Sequence, residues 1–498
     1  MSNNYTSSDN TNPESKAEVA PNSSSEPTVE PYVPSEININ DYEQFQNEEM
    51  GEPVSRQQSI LQRVQSKYSF FNENVKSERM KLLKTFLTIY LIIAVGCLGV
   101  FSIYWGSMYR KDTRNRNLKM LVVLEDQEIN NIPPIFSQQM RQILETPEAK
   151  TLGGWDIFNM TEFQEIADKH NNTIDEEVIR QVHHQHYWST IYIKQNSTYN
   201  IYQALKNGEE YNTTDLIYSY FETGRHLTNI GPYVVASVAA IQTMWLDTNS
   251  VMQSIIEVGN ITLDNPGSIN TATQALSFTF VDMKPLTNDV LVAALQIGLL
   301  YLVIVSFFNF NFFADVHQSV AQIIKKPHFM GYRIIASIVS YFVISLMFGL
   351  VCLAFQIDFA KAFGKSGFLV YWMVTFLTMW AVGLASELAA MLLIPLYPPL
   401  MGFWLIFWVI INITPTFTPM ALLPQFFRYG YAMPLHNAFE IYCVIFFDTY
   451  KGQIGRNIGI IIAWCVFLTA MTPLVLMYFG KMMGKKAAKA AQQAAKEK

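Results

Sequence analysis

Apolar residues are concentrated in six blocks that alternate with polar segments along the chain. The first block runs from Phe86 to Trp105, and five more follow a long polar region. A block of about 20 apolar residues is long enough to cross the hydrocarbon core of a bilayer as a helix. The later blocks are centred on 290–313, 334–355, 368–393, 401–413 and 458–479. The pattern predicts a polytopic α-helical membrane protein with six transmembrane helices.

The polar region between the first two blocks has the pattern of a folded domain. LKMLVVLED at Leu118–Asp126 and WSTIYIKQ at Trp188–Gln195 are β-branched and partly alternating, as strands are. TEFQEIADKH and EEVIRQVHHQ have helical periodicity. We interpret the stretch from Thr213 to Leu246 as a longer helix with a break near Gly231. This predicts a mixed α/β external domain between the first and second transmembrane helices.

Composition and charge divide the chain into segments with different expected roles. Residues 1–55 are rich in Ser, Asn, Glu and Pro, which is typical of a disordered acidic tail. A basic juxtamembrane segment, 56–84, precedes the first transmembrane helix, 85–106. The remaining segments are the external domain, a five-helix membrane domain and a basic cytoplasmic tail, at 107–289, 290–480 and 481–498.

Positive charges predict the orientation in the membrane. They precede the first helix, occupy the C-terminal tail and fill the expected loop after the second helix, where Arg333 lies. Since Lys and Arg favour the cytoplasmic side, six spans place both termini inside. The α/β domain would then face outward, where glycosylation sequons can be used. Five such candidates lie in it: Asn159, Asn171, Asn196, Asn212 and Asn260.

Two serines in the basic juxtamembrane segment are candidate phosphorylation sites. Ser59 and Ser66 each follow an arginine by three residues, a spacing that basophilic kinases prefer. A phosphate there would weaken contact with anionic lipid. The alternative is an ordinary polar tail in which serines are common.

Motifs for catalysis or metal binding are weak. His183, His184 and His186 are closely spaced, but no cysteine is near, so a polar surface is favoured over a metal site. FGKSGF at Phe363–Phe368 lacks the glycine that a P-loop needs five positions before its Gly-Lys. We expect no enzyme activity, no cofactor and no nucleic-acid partner.

Ionisable residues in the apolar blocks are the better candidates for function. Glu387 lies within the fourth block, and Asp315 closes the second. Charged groups at membrane depth are costly and usually face a cavity or a partner. Glu387 and Asp315 are therefore candidate cavity or coupling residues. The alternative for Glu387 is an interfacial glutamate that reaches water or bonds to a neighbouring helix.

The segment PQFFRYGYAMPLHNAFEIY, from Pro424 to Tyr442, interrupts the apolar pattern before the last block. Its prolines and aromatic residues predict a broken external helix pair near 415–448, seated at the membrane interface. Arg428 is a candidate cavity or coupling residue, with an interfacial anchor as the favoured interpretation. His436 and Glu440 either cap a helix end or line an exit path.

The same segment resembles the element before the last helix of type-2 ABC exporter permeases, here without an ATPase domain. The matching residues are Pro424, Phe427, Arg428, Tyr431, Pro434, Ala438 and Glu440. From Leu83 to Met482 the chain is also similar to the fungal nitrosoguanidine-resistance protein family, through LVVLED, YWSTIYI and FVDMKPLTNDVLVAALQIGLLYLVIVSFF. The resemblance implies a permease-like membrane domain at the fungal cell periphery, linked to drug tolerance and membrane-lipid status.

Two functions stay open at this stage. The first is a permease-like protein that exports or rearranges amphipathic molecules and so contributes to drug tolerance and lipid homeostasis. The alternative is a non-transporting regulator that couples plasma-membrane lipid status to signalling through its cytoplasmic tail. Expected partners are membrane lipids, a second copy of the chain, and partner membrane proteins or kinases. The expected location is the plasma membrane, with the endoplasmic reticulum as the alternative.

Overall fold

The computed structural model describes three stretches of the chain: 70–73, 76–247 and 251–497. Three features predicted from the sequence lie outside the described residues: the acidic tail 1–55, Ser59 and Ser66. The chain divides into two compact units, Met1–Thr88 and Ile89–Lys498. In the first unit, the described part is mostly exposed and includes apolar side chains such as Phe71 and Leu83. Arg79 donates a 2.6 Å hydrogen bond to the carbonyl of Phe70.

A five-stranded mixed sheet forms the centre of the domain that follows the first long helix, α1 (Lys76–Met108). The strand order is β2-β1-β3-β4-β5, with β3 and β4 antiparallel and the other neighbours parallel. The strands are β1 Lys119–Leu124, β2 Gly154–Asn159, β3 Ser189–Ile193, β4 Ile217–Phe221 and β5 Thr279–Asp282.

Helices cover both faces of this sheet, and the central strands are therefore apolar on both sides. Val122 and Leu124 of β1 join one buried cluster, whereas Leu121 and Val123 join another on the opposite face. The helices of the domain are α2 Ile135–Leu144, α3 Pro147–Leu152, α4 Met160–Asp168, α5 Ile174–His183, α6 Ser197–Asn207, α7 Ala236–Asp247, α8 Val251–Gly259 and α9 Pro266–Thr273.

A helical bundle makes up the rest of the described chain. Its helices are α10 Val290–Phe312, α11 Ala314–Ile323, α12 Lys326–Ala354, α13 Gly367–Leu393, α14 Leu400–Phe417, α15 Pro434–Phe447 and α16 Ile454–Glu497. Six helices of the described residues are long and apolar enough to cross a membrane: α1, α10, α12, α13, α14 and α16. At this level the predicted mainly helical membrane protein is confirmed.

Helix α13 is the centre of the bundle, because α10, α12, α14, α15 and α16 all pack against it. From Ala381 to Met391 every residue of α13 is buried. A polar side chain in this stretch must find its partners inside the protein, since no water is available there.

The predicted helix from Thr213 to Leu246 is wrong in its first part. Ile217–Phe221 is strand β4, which pairs with β3 and with the unpredicted strand β5. Its burial alternates residue by residue, as a sheet with two unequal faces requires. The continuous helical stretch starts at Ile230 and continues into α7, and only short 3-10 turns precede it in this segment. The strand β2 was also missed by the sequence pattern.

Two predicted helix limits are corrected in the bundle. Arg333 is not in a loop, because α12 already begins at Lys326. The fifth apolar block was expected to cover 401–413, whereas helix α14 continues with Pro415 inside it to Phe417. Asn412 and Thr414 each donate a side-chain hydrogen bond to the carbonyl four residues earlier, so these buried polar groups have acceptors within the helix.

The segment before the last helix consists of a 3-10 helix, Gln425–Ala432, followed by α15. Apart from Glu440, which is half-buried, α15 is buried from Pro434 to Phe447 among the neighbouring helices. It ends at Asp448, whose φ of 54° is the left-handed conformation common after helices. In this segment His436 and Asn437 are buried, whereas Gln425 and Arg428 of the 3-10 helix are exposed.

Candidate functional site

A cavity of about 780 Å³ brings three of the predicted site residues together. Arg428, His436 and Glu440 all line it. One part of its wall comes from the α/β domain, including Arg225 and His226, and the other part comes from the bundle. The cavity thus lies where the α/β domain meets the membrane helices.

The lining of this cavity is strongly cationic. Among the described lining residues, Glu440 is the one carboxylate, and the Arg and Lys side chains are Arg116, Lys119, Arg225, Arg428 and Arg456. The apolar part of the wall consists of residues such as Pro415, Met420, Leu423, Phe439 and Val444. The cavity therefore presents a charged surface and an apolar surface to the same occupant.

Glu440 is already neutralised by its neighbours. Its Oε2 accepts hydrogen bonds from Arg456 at 2.9 Å and from Asn457 at 2.7 Å. Its Oε1 lies 3.2 Å from Nε2 of His436. The two hydrogen bonds to Oε2 join the first part of α16 to α15.

Arg225 is held in place by the α/β domain. It donates to the carbonyl oxygens of Tyr187 at 2.8 Å and Gln185 at 3.3 Å, and its guanidinium lies 3.5 Å from the ring centroid of Trp188. Burial lowers the pKa of Arg225 to about 10, so the group stays charged at neutral pH.

His436 connects α15 to the end of α14. Its Nδ1 lies 3.2 Å from the carbonyl oxygen of Pro415 and must donate to it. In a continuing helix this carbonyl would accept from the residue four positions later, which is Pro419 and has no N–H. His436 therefore supplies the donor that the backbone lacks, and its Nε2 is directed to Glu440.

A second histidine, His226, was not predicted from the sequence. The amide nitrogen of Asn229 donates to its Nδ1 at 3.0 Å and also to the carbonyl of Phe417 at 2.9 Å. Lys111 donates to the Asn229 oxygen, which fixes the orientation of the amide. Burial, with the charge of Lys111, lowers the pKa of His226 to about 3. The neutral ring must then carry its proton on Nε2, which has no partner among the described residues.

Glu387 lies away from the cavity in a buried polar cluster between α12 and α13. It accepts hydrogen bonds from Arg333 at 2.8 Å, from Ser337 at 2.9 Å and from Tyr341 at 2.8 Å. These three donors are spaced four residues apart on one face of α12. Gly383 makes the approach possible, because a Cβ there would lie 2.4 Å from the Tyr341 ring.

Asp315 joins neither group. It is exposed in the first turn of α11, so the structure does not place it in a cavity. Arg428 is also exposed at the cavity rim, and none of its described neighbours forms an ion pair with it.

The candidate sequons differ in accessibility. Asn159, Asn171, Asn212 and Asn260 are exposed, whereas Asn196 is half-buried. The hydroxyl of Thr198, which completes the Asn196 sequon, is buried and donates to Asp126 at 2.5 Å.

The closely spaced histidines have other partners. His183 Nδ1 lies 2.8 Å from Glu222 Oε1, and the ring of His184 lies over that of Tyr450 with centroids 4.5 Å apart. Within the described part of the chain, no three His, Cys, Asp or Glu residues are arranged to hold a metal ion.

Comparison with known proteins adds three findings. Residues 89–470 match the family described as "Protein of unknown function (DUF3533)". A Saccharomyces cerevisiae protein, described as an uncharacterized endoplasmic reticulum membrane protein, is 33% identical over 437 residues, covering 85% of this chain and 86% of the relative. No solved structure matches the chain.

Proposed function

Since the chain belongs to the DUF3533 family, for which no function is described, we propose a function from the cavity. The protein is a permease-like membrane protein that binds amphipathic molecules and exports or rearranges them. A role in drug tolerance and membrane-lipid homeostasis is part of the same proposal. The observation that carries it is the cavity with one cationic and one apolar surface. An amphipathic molecule has the same two kinds of surface.

The position of the cavity also supports this proposal. Its walls include Pro415 and Pro419, near the end of α14. They also include Ile454 and Arg456, at the start of α16. Both helices are long and apolar enough to span a bilayer. A molecule in the cavity is therefore adjacent to the ends of two membrane helices and to the α/β domain.

The location and orientation follow as proposals of their own. The name of the Saccharomyces relative places that protein in the endoplasmic reticulum membrane, so we propose this location, with the plasma membrane as the alternative. We propose that both termini are cytoplasmic and that the α/β domain faces the lumen or the outside, in agreement with the positive charges.

The test is movement of fluorescent amphipathic lipids across the bilayer of reconstituted vesicles. Gln425 is an exposed lining residue, and Gln425→Trp should narrow the cavity and reduce the rate at least about tenfold, by blocking access. Gln127→Trp, at an exposed position that does not line the cavity, should leave the rate unchanged. Equal rates for wild type, both variants and empty vesicles would refute the proposal.

The second candidate is the non-transporting regulator, which the basic segment 56–84 with its two serines favours. Deletion of residues 1–78 separates the two functions. A permease should keep most of its movement of lipids in vesicles, whereas a regulator should lose its cellular phenotype while the rest of the protein is still present in the membrane.

A further inference from the structure

We propose that the cavity recognises a phosphate group carried by an amphipathic molecule, with Arg116, Lys119 and Arg428 supplying charge and His226 supplying a fixed hydrogen-bond donor. This inference rests on the proposed function and names the class of molecule that the cavity takes. It is carried by the charges of the lining and by the hydrogen-bond network behind His226.

The charges that remain after internal pairing are all positive. Arg456 is bonded to Glu440, and Arg225 donates to backbone carbonyls. Arg116, Lys119 and Arg428 line the cavity with no ion-pair partner in the part of the chain that the structure describes. Since Glu440 is the one carboxylate of the described lining, an anion in the cavity meets attraction that the protein does not itself offset.

An unpartnered donor is a second, independent indication of a ligand. His226 is 4% exposed and lines the cavity, yet its Nε2 has no hydrogen-bond partner among the described residues. Asn229 donates to the opposite ring nitrogen, so Nε2 carries the proton. A buried donor without an acceptor is costly, and an anionic oxygen from a ligand would remove this cost.

Phosphate fits these donors better than a carboxylate does. Three cationic side chains and one imidazole N–H offer more hydrogen-bond donors than the two oxygens of a carboxylate can accept. A phosphate monoester has three non-bridging oxygens, and arginine binds phosphate with two parallel hydrogen bonds. The apolar part of the wall then takes the hydrocarbon next to the phosphate.

The experiment measures lipid retention by the purified full-length protein in neutral detergent, using native mass spectrometry. Phosphatidic acid is compared with diacylglycerol of the same acyl chains, with oleate and with glycerol phosphate. We expect phosphatidic acid to bind at least about tenfold more tightly than diacylglycerol or oleate. Equal binding of diacylglycerol or oleate would overturn phosphate recognition. Glycerol phosphate as tight as phosphatidic acid would overturn the amphipathic source.

Variants connect this selectivity to the named residues. Arg428→Gln should reduce phosphatidic acid binding about tenfold without changing diacylglycerol binding, and Arg428→Lys should restore part of it. Arg141→Gln, at an exposed arginine that does not line the cavity, is the matched control. Unchanged selectivity in Arg428→Gln would contradict the inference.

His226 is tested by a pair of substitutions. His226→Phe removes the N–H and should lower phosphatidic acid binding, whereas His226→Gln keeps a donor near the same place and should bind more tightly than the Phe variant. Thermal unfolding of each variant shows whether it is folded. If phosphatidic acid and diacylglycerol bind equally but Gln425→Trp still blocks lipid movement, the inference fails while the proposed function holds. If Gln425→Trp has no effect, the proposed function fails.

Discussion

Glu387 shows how a single charged residue is accommodated in an otherwise apolar helix. Glu387 is 2% exposed, and its carboxylate accepts hydrogen bonds from Arg333, Ser337 and Tyr341 on the neighbouring helix. A buried charge is tolerated when it is paired and hydrogen-bonded, and removal of one partner leaves the other charge unpaired. This arrangement supports the interpretation that Glu387 connects α12 to α13. It supports less well the interpretation that Glu387 is a freely accessible coupling residue.

The ion pair between Arg333 and Glu387 should contribute to the stability of the protein. Glu387→Gln should lower the thermal stability of the protein by an amount equivalent to about 3–5 kcal/mol, because Arg333 would stay buried without a counter-charge. The double variant Arg333→Met with Glu387→Gln should recover a large part of this loss. Ser386→Ala, one position before Glu387 and also buried, loses only a hydrogen bond to a backbone carbonyl and serves as the control.

The measurement is thermal unfolding in detergent, followed by lipid movement in vesicles for the variants that remain folded. A double variant that is stable but inactive would give Glu387 a role beyond connecting the helices. A stable Glu387→Gln single variant would contradict the structural role.

At the scale of elements, the junction between β1 and α6 depends on one buried carboxylate. Asp126 follows the end of β1, and its oxygens accept hydrogen bonds from the backbone N–H of Thr198 at 3.2 Å and from its hydroxyl at 2.5 Å. Thr198 lies in the first turn of α6, where backbone N–H groups have no helical acceptor. Asp126 therefore fixes the helix to the strand edge.

This junction predicts a dependence of stability on pH. Burial raises the pKa of Asp126 from 3.8 to about 6, against the effect of its bonds from Thr198. The folded state thus holds one proton more than the unfolded state between these pH values. The contribution of the Asp126 carboxyl to the free energy of unfolding is present below pH 4. It is lost as the pH rises through 6, by up to about 3 kcal/mol.

The substitution Asp126→Asn isolates this contribution. The variant keeps an oxygen acceptor but does not titrate, so its stability should change less than that of wild type between pH 4 and 7. The readout is thermal unfolding at each pH, with Asp264→Asn, at an exposed position, as the control. Identical pH profiles for wild type and Asp126→Asn would rule out this role.

The elements that could be predicted from the sequence are those with long or strongly patterned runs. Six apolar blocks correspond to the six candidate membrane helices, and the first four residues of LVVLED lie on β1. Strand β4 was missed because Ile217–Phe221 is apolar and aromatic, a composition that suits a helix or a strand until its partner strands are known. Arg333 was assigned to a loop because it follows other basic residues, whereas its pairing with Glu387 joins positions 54 residues apart.

The cavity was only partly predictable for the same reason. Arg428, His436 and Glu440 lie within one short segment that is unusually polar for its surroundings. His226 and Arg225 belong to ETGRHLTN, a polar stretch that was interpreted as part of a longer helix. Their position in the cavity depends on how the α/β domain packs on the bundle, which no local pattern contains.

At the scale of the whole molecule, the proposed orientation can be tested through the sequons. If the α/β domain faces the lumen or the outside, Asn159, Asn171, Asn212 and Asn260 are accessible to glycosylation. Asn196 should stay unmodified, because Thr198 is buried and bonded to Asp126. Endoglycosidase treatment should then reduce the apparent mass, and each Asn→Gln change at the four exposed sites should remove one step.

The control is Asn196→Gln, which should leave the gel mobility unchanged. A protein without any glycan at these sites in a cell that glycosylates other membrane proteins would argue for the opposite orientation.

The size of the cavity has a consequence for the path of any lipid. A volume of about 780 Å³ is in the range that encloses a drug-sized molecule, and it is too small for a phospholipid with two complete acyl chains. A phospholipid bound here would keep its chains in the bilayer while only its headgroup is enclosed. During its movement across the bilayer, only the headgroup would pass through the protein, while the acyl chains would stay in the lipid beside it.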